Sequence, residues 1–184
     1  SKLHGIDENL VERGKFTFHK DLLIPGNAKI LEFSRKPFFY EKSINGILPS
    51  GDFYKGSSLY TFDYSFNFFL EIHVNPEDIP LMLKENLISD RESLEKYTDF
   101  VCQSIAQNSA AYYLSRASSV QDFIPESVDI VELYKNCKFY EKYPYVQIDI
   151  ITLKSSKIPD YDLYRIAKSR ENLSETYTET EVSK

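Results

Sequence analysis

Histidines, cysteines and closely spaced acids are where chemistry would be sought first in this 184-residue chain. The three histidines, His4, His19 and His73, are far apart, and none belongs to an H-x-x-x-H or H-E-x-x-H pattern that would set two imidazoles on one helix face for zinc. His73 and Glu71 are two residues apart, so on a strand they share a face; two polar neighbours on a sheet surface read as solvated side chains. Cys102 and Cys137 form no C-x-x-C pair and have no histidine nearby in sequence. Cys102 falls in a helical pattern and reads as a buried structural thiol, while a disulfide between the two stays open. Asp160 and Asp162 could hold a cation, but they follow Pro159 in the first turn of a helix, where acids suit the positive end of the dipole.

No G-x-S-x-G elbow, P-loop or dinucleotide-binding glycine motif occurs among the six glycines. The sequence therefore offers no catalytic residue, no metal ligand set and no cofactor site, and the expectation is a protein that is not an enzyme. Tyrosine and phenylalanine are abundant, at 14 and 13 residues, which would suit base stacking. The formal net charge is −6, however, and there is no basic stripe, so nucleic acid is not an expected partner. Asn172-Leu173-Ser174 matches a glycosylation sequon, relevant only in a secretory setting.

The elements that must position any site begin with one long alternation. From Leu59 to Val74, the residues Tyr60, Phe62, Tyr64, Phe66, Phe68, Leu70, Ile72 and Val74 share one parity, and Thr61, Asp63, Ser65, Asn67, Phe69, Glu71 and His73 the other. Successive strand side chains point to opposite faces, so this run predicts a half-buried antiparallel strand, long enough to need a bend or bulge. Ahead of it, Lys15–His19, Ala28–Ser34 and Pro37–Glu41 are strand candidates, Ile24-Pro25-Gly26-Asn27 is a turn, and residues 42–58 read as a long loop or irregular hairpin.

Asn75-Pro76-Glu77-Asp78 closes the long strand and opens a short helix to about Asn86, with Pro80 in its first turn. A long helix from Ser89 or Asp90 to Ala117 follows, with Leu94, Tyr97, Val101, Ile105 and Tyr112 on its core face, widened by Phe100, Tyr113 and Leu114. A further helix is expected within Val120–Glu141, restarted near Pro125, with Val128, Val131, Leu133 and Tyr134 inward. Val146, Ile148 and Ile150 then alternate with Gln147 and Asp149 as a second strand. Pro159 starts a last helix through Tyr161, Leu163, Tyr164, Ile166 and Ala167.

An apolar content of 42% supplies ample core material. The expected fold class is α+β: an antiparallel sheet with helices packed on one face, plus a smaller N-terminal β subdomain. Residues 1–14 form a flexible N-terminal segment and 15–170 the domain, β-rich to about 75 and α/β from about 76. Residues 171–184 are a polar tail.

Several segments together resemble the SPFH domain, also called band 7 or prohibitin-homology, of stomatins, prohibitins and flotillins. Leu22-Leu23-Ile24-Pro25-Gly26 is similar to that family's hydrophobic-Pro-Gly turn into a strand. Tyr60-Thr61-Phe62-Asp63-Tyr64-Ser65-Phe66 through His73-Val74-Asn75-Pro76-Glu77 resembles its strand-to-helix step. The helix around Leu94–Leu114, the strand Val146–Leu153 and the proline-initiated Ile158-Pro159-Asp160-Tyr161-Asp162-Leu163 complete the likeness over about residues 15–170. Two departures stand against it: the glycine-rich opening of many members is not recognisable before residue 20, and the family's extended coiled coil does not appear beyond Leu173.

The resemblance implies a non-enzymatic, membrane-associated scaffold that forms homo-oligomers and organises lipid or neighbouring membrane proteins, such as a protease or channel. It also implies a hydrophobic anchor encoded upstream of Ser1, since no window here approaches the length of a membrane helix. Two other readings follow from the residues. One is a soluble module binding an apolar small molecule between the aromatic strand face and the long helix; the other is an enzyme whose site is assembled from distant residues.

Overall fold

The computed structural model describes residue 11 and residues 31–49, 62–119 and 130–170. Three antiparallel strands, β1 (Phe38–Ile47), β2 (Asp63–Val74) and β3 (Val146–Lys157), form one sheet in the order β1-β2-β3. Between β2 and β3 come a 3-10 turn at Pro76–Asp78 and helices α1 (Ile79–Lys84), α2 (Arg91–Ser119), α3 (Ile130–Cys137) and α4 (Phe139–Lys142); α5 spans 161–170. The fold class is α+β. Within residues 15–75, β1 belongs to the same sheet as β2. Residues 15–30 and 50–61 of the β-rich part expected over about 15–75 lie outside the described residues, as do the Pro25-Gly26 turn and the tail 171–184.

Strand β2 is the centre of the sheet, and its two faces separate as the alternation predicts. Phe66, Phe68, Leu70, Ile72 and Val74 are buried, while Asp63, Ser65, Asn67, Phe69, Glu71 and His73 are half-buried on the other side. Phe62, just ahead of the strand, is also buried, and its carbonyl accepts from Leu48 N–H at 3.0 Å, extending the ladder.

The bend that so long a strand needs is taken by its partner. Pairing of β2 with β1 is unbroken from Phe38↔Ile72 to Ile47↔Asp63, whereas pairing with β3 slips at Glu71/Ile72 and again at Asn67/Phe68. Each slip leaves one extra β3 residue, Asp149 and then Lys154. A bulge shifts the parity of everything beyond it. The inward residues of β3 are consequently Val146 and Ile148, then Ile151 and Leu153, then Ser156. Ile150, expected inward, is exposed for this reason.

Strand β1 is longer than Pro37–Glu41 and takes in residues 42–47, expected as loop. Gly46 sits opposite Tyr64, and a Cβ built there would run into the Tyr64 ring, so this glycine serves close packing across a strand pair and not a turn. Ahead of β1, residues 31–34 are not strand, contrary to the expectation for Ala28–Ser34: Ser34 Oγ accepts Lys36 N–H at 3.2 Å and turns the chain before Pro37.

Helix α1 ends at Asn86, which takes a left-handed φ of 57° while its N–H bonds Leu83 O and Leu87 N–H bonds Met82 O. Helix α2 opens with reciprocal caps: Asp90 Oδ1 accepts Ser93 N–H at 2.8 Å, and Ser93 Oγ accepts Asp90 N–H at 2.9 Å. Its buried line is Leu94, Thr98, Val101, Cys102, Ile105, Ala106, Ser109, Ala110 and Tyr113, a three- and four-residue rhythm built largely from small side chains. Small residues let the helix approach the sheet closely and leave Tyr97 and Tyr112 at the flanks. Phe100, assigned to the core face from its size, points away and is 64% exposed.

Leu133 is the buried residue of α3, with Tyr134 and Cys137 partly covered beside it; Val131, expected inward, is exposed. Lys138, at a left-handed φ of 50°, separates α3 from α4, which buries Phe139. Helix α5 closes the far end of the sheet, where Tyr164 meets Phe62 edge-on at 5.3 Å and its hydroxyl bonds Pro49 O.

Candidate functional site

The open face of the sheet gathers the polar groups that the sequence singled out. His73 Nδ1 lies 2.6 Å from Asp149 Oδ2 on the neighbouring strand, with each side chain about three-tenths exposed. Asp149, the extra residue of the first bulge, keeps the outward face by its alternation with Gln147, the residue paired with His73. Lys154, the extra residue of the second bulge, is outward with Thr152; its ammonium pairs with Glu41 on β1 and lies 5.5 Å from the centroid of the Phe69 ring. Between these pairs, Ser43 donates to Asn67 Oδ1 at 2.6 Å and Asn67 Nδ2 to Ser155 Oγ at 2.7 Å, a polar row across all three strands.

A histidine oriented by a carboxylate is two-thirds of a catalytic triad, and the third member decides whether it can act. Gln147 lies opposite His73, and the nearest polar neighbours along the face are Glu71 and Asp149. Thr152, the hydroxyl residue of β3 nearest in register, is paired with Phe69 at some remove from the histidine. Among the described residues, the His73–Asp149 pair is a cross-strand bond on the open face of the sheet. Sequence spacing placed His73 with Glu71 and missed Asp149 as its partner, because the two are 76 residues apart and meet only through the pairing of β2 with β3.

The remaining candidates have structural positions. Cys102 is fully buried in α2, and loss of hydration pushes its thiol up to about 12, partly offset by Lys42, which makes it a poor nucleophile. Cys137 is shifted the same way by burial, and both cysteines are free thiols. Asp160 caps α5, accepting Leu163 N–H at 2.9 Å, while Asp162 pairs with Arg165 in the same helix. Among the described residues, no cluster of three or more histidine, cysteine or acidic side chains is placed to hold a metal ion. His4, His19 and the Asn172 sequon lie outside the described residues.

The space between the aromatic face of β2 and α2 is filled by protein. Tyr113 lies across Phe66 and Phe68 with ring centroids 5.9 and 6.0 Å away, and Leu94, Val101, Ile105 and Met82 complete the contact with almost no exposed surface. Outside this core, a shallow open groove of about 650 Å³ runs beside β1, lined among others by Phe38, Phe39, Tyr40, Asp99 and Phe100. No described helix is long and apolar enough to cross a membrane. Compared with protein-family models, with curated proteins and with solved structures, the chain finds no match in any of the three.

Proposed function

We propose that this chain is a non-enzymatic scaffold domain of the SPFH type, associated with a membrane through a segment outside this sequence and acting by oligomerisation to organise lipid or neighbouring membrane proteins, including proteases or channels. The observation that carries the reading is the order of elements. A long central strand ends at Asn75-Pro76, a short helix and a 29-residue helix follow, and a last strand leads into a proline-preceded helix.

The surface is consistent with work done by contact. Exposed apolar side chains, among them Phe39, Phe100, Val131 and Ile150, lie on the sheet face and the helices, while the interior is closed. Among the described residues, the groups with raised pKa are tyrosines and the two cysteines, shifted mainly by burial, with Tyr145 and Lys96 raised by their bonds to Glu85 and Glu92. A packed interior also leaves the apolar-ligand module without its pocket between β2 and α2.

Membrane association is tested by expressing the complete reading frame and washing isolated membranes at alkaline pH. The reading requires that the protein stay in the pellet. Quantitative release into the wash, from a frame with no hydrophobic segment ahead of Ser1, would overturn it.

A further inference from the structure

The two outer edges of the sheet are built differently. The β3 edge is interrupted by bulges at Asp149 and Lys154 and carries Lys154 and Lys157, features that discourage strand addition. The β1 edge has no bulge, and its lysine, Lys42, is held on the helix side by Asp99: its register with β2 runs without a slip for the whole of Phe38–Ile47, and no described strand pairs with its other side. Phe39 and Ile47, on the open face of this strand, are 59% and 39% exposed. A long, regular edge with no described strand beside it and flanked by apolar side chains is a template for another strand.

We infer that β1 pairs antiparallel with β1 of a second copy, about a two-fold axis that passes through Ser43. The symmetry restricts the register. A two-fold axis that sets two edges side by side and antiparallel stands normal to the sheet, so both open faces lie on one side and residues of the same parity oppose one another. Centring on Lys42 would set Lys42 against Lys42, and centring on Glu41 would set Glu41 against Glu41, both like-charge pairs. Centring on Ser43 sets Phe39 against Ile47 twice, Glu41 against Asn45 and Lys42 against Ile44.

In that register the two exposed apolar residues of the open face cover each other, and no like charges are directly opposed. On the helix side, Gly46 of the second copy falls opposite Tyr40 and adds no side chain to the groove that Tyr40, Asp99 and Phe100 line. The product is a continuous six-stranded sheet with both bulged edges outside. This pairing rests on the scaffold reading for its use in assembly, whereas its formation needs no membrane.

The test is sedimentation velocity on the 184-residue chain across micromolar to millimolar concentrations, together with disulfide trapping. The expected result is a reversible dimer whose dissociation constant rises about tenfold or more in F39K/I47K, which opposes lysine to lysine, and returns toward that of the parent in F39K/I47E. Both doubles change exposed positions, and circular dichroism checks that each is folded. Under mild oxidation S43C should form a covalent dimer, because directly opposed residues lie about 4.5–5.5 Å apart between Cα atoms, within disulfide reach; N45C should not. A chain that stays monomeric throughout, a dimer indifferent to F39K/I47K, or trapping by N45C in place of S43C would each overturn the inference. So would a monomer whose β1 edge accepts only a foreign strand. Retention in washed membranes is independent of all these outcomes, so failure of the pairing and failure of the scaffold reading are distinguishable.

Discussion

The hydroxyl of Tyr40 on β1 lies 2.8 Å from Thr98 Oγ1 on α2, and this bond ties the edge strand to the helix that covers it. Tyr40 also reaches Glu95 O at 3.2 Å, and Thr98 Oγ1 lies 3.0 Å from both Leu94 O and Glu95 O. Thr98 is fully buried, so its hydroxyl needs these partners, and the strand supplies one of them. Y40F should cost about 1 kcal/mol in urea unfolding, T98V a similar amount, and the double variant clearly less than the sum. Strict additivity would mean that the two hydroxyls do not work together.

Gly46 and Tyr64 form a second cross-strand dependence. G46A places a methyl group where the Tyr64 ring lies and should destabilise by about 1–3 kcal/mol, because the ring must leave its position. In a Y64A background the same change should cost well under half as much. Equal costs in both backgrounds would assign the effect to glycine's backbone and not to the ring.

Tyr113 and Ser109 sit one turn apart on the buried face of α2 and should respond in opposite directions. Y113A removes the ring packed on Phe66 and Phe68 and should cost about 3–5 kcal/mol, whereas F100A, at an exposed site on the same helix, should change stability by about 0.5 kcal/mol or less. The Ser109 hydroxyl is buried without a hydrogen-bond partner, so S109A removes an uncompensated polar group and should be neutral or stabilising by about 1 kcal/mol. Thermal or chemical denaturation separates the three.

Cys102 gives a signed pH dependence. Its thiol moves from an ordinary 9.0 to about 12 because burial disfavours the thiolate. In the interval between those values the unfolded chain has lost this proton and the native chain still holds it. Stability is therefore fully present below about pH 9 and falls by about 1.4 kcal/mol per pH unit from this group as pH rises toward 12. Tyr40 and Tyr161, raised by burial, act in the same direction. C102A should flatten the alkaline slope, and a thiol reagent at pH 8 should label Cys102 only after unfolding. Prompt labelling of the folded protein would contradict the burial argument.

Strand β2 was legible because its period of two is carried by large aromatic and aliphatic side chains, for which one face must be dry. Helix α2 was legible in extent but not in face: its core line runs through Thr98, Cys102, Ala106 and Ser109, which a search for large apolar residues passes over, while the conspicuous Phe100 faces out. In β3, the parity that suggested Ile150 is undone by the bulge at Asp149, a tertiary response to the twist of the sheet that leaves no local mark. The outward parity of Asp149 was legible beside Gln147, but its contact with His73 depends on the register of two strands 76 residues apart, which spacing does not show. Pro76 and Pro159 were legible as helix-opening signals because the fixed φ of proline acts locally, whereas Asn75 makes no side-chain cap and Asp160, expected in the first turn, precedes the helix and caps it by accepting Leu163 N–H.

The central claim is that this domain serves as part of an assembly. Its most direct test is multi-angle light scattering of the protein from its complete reading frame, purified in mild detergent. The account predicts a mass of several protomers after subtraction of the micelle, and a single protomer at every concentration would contradict it.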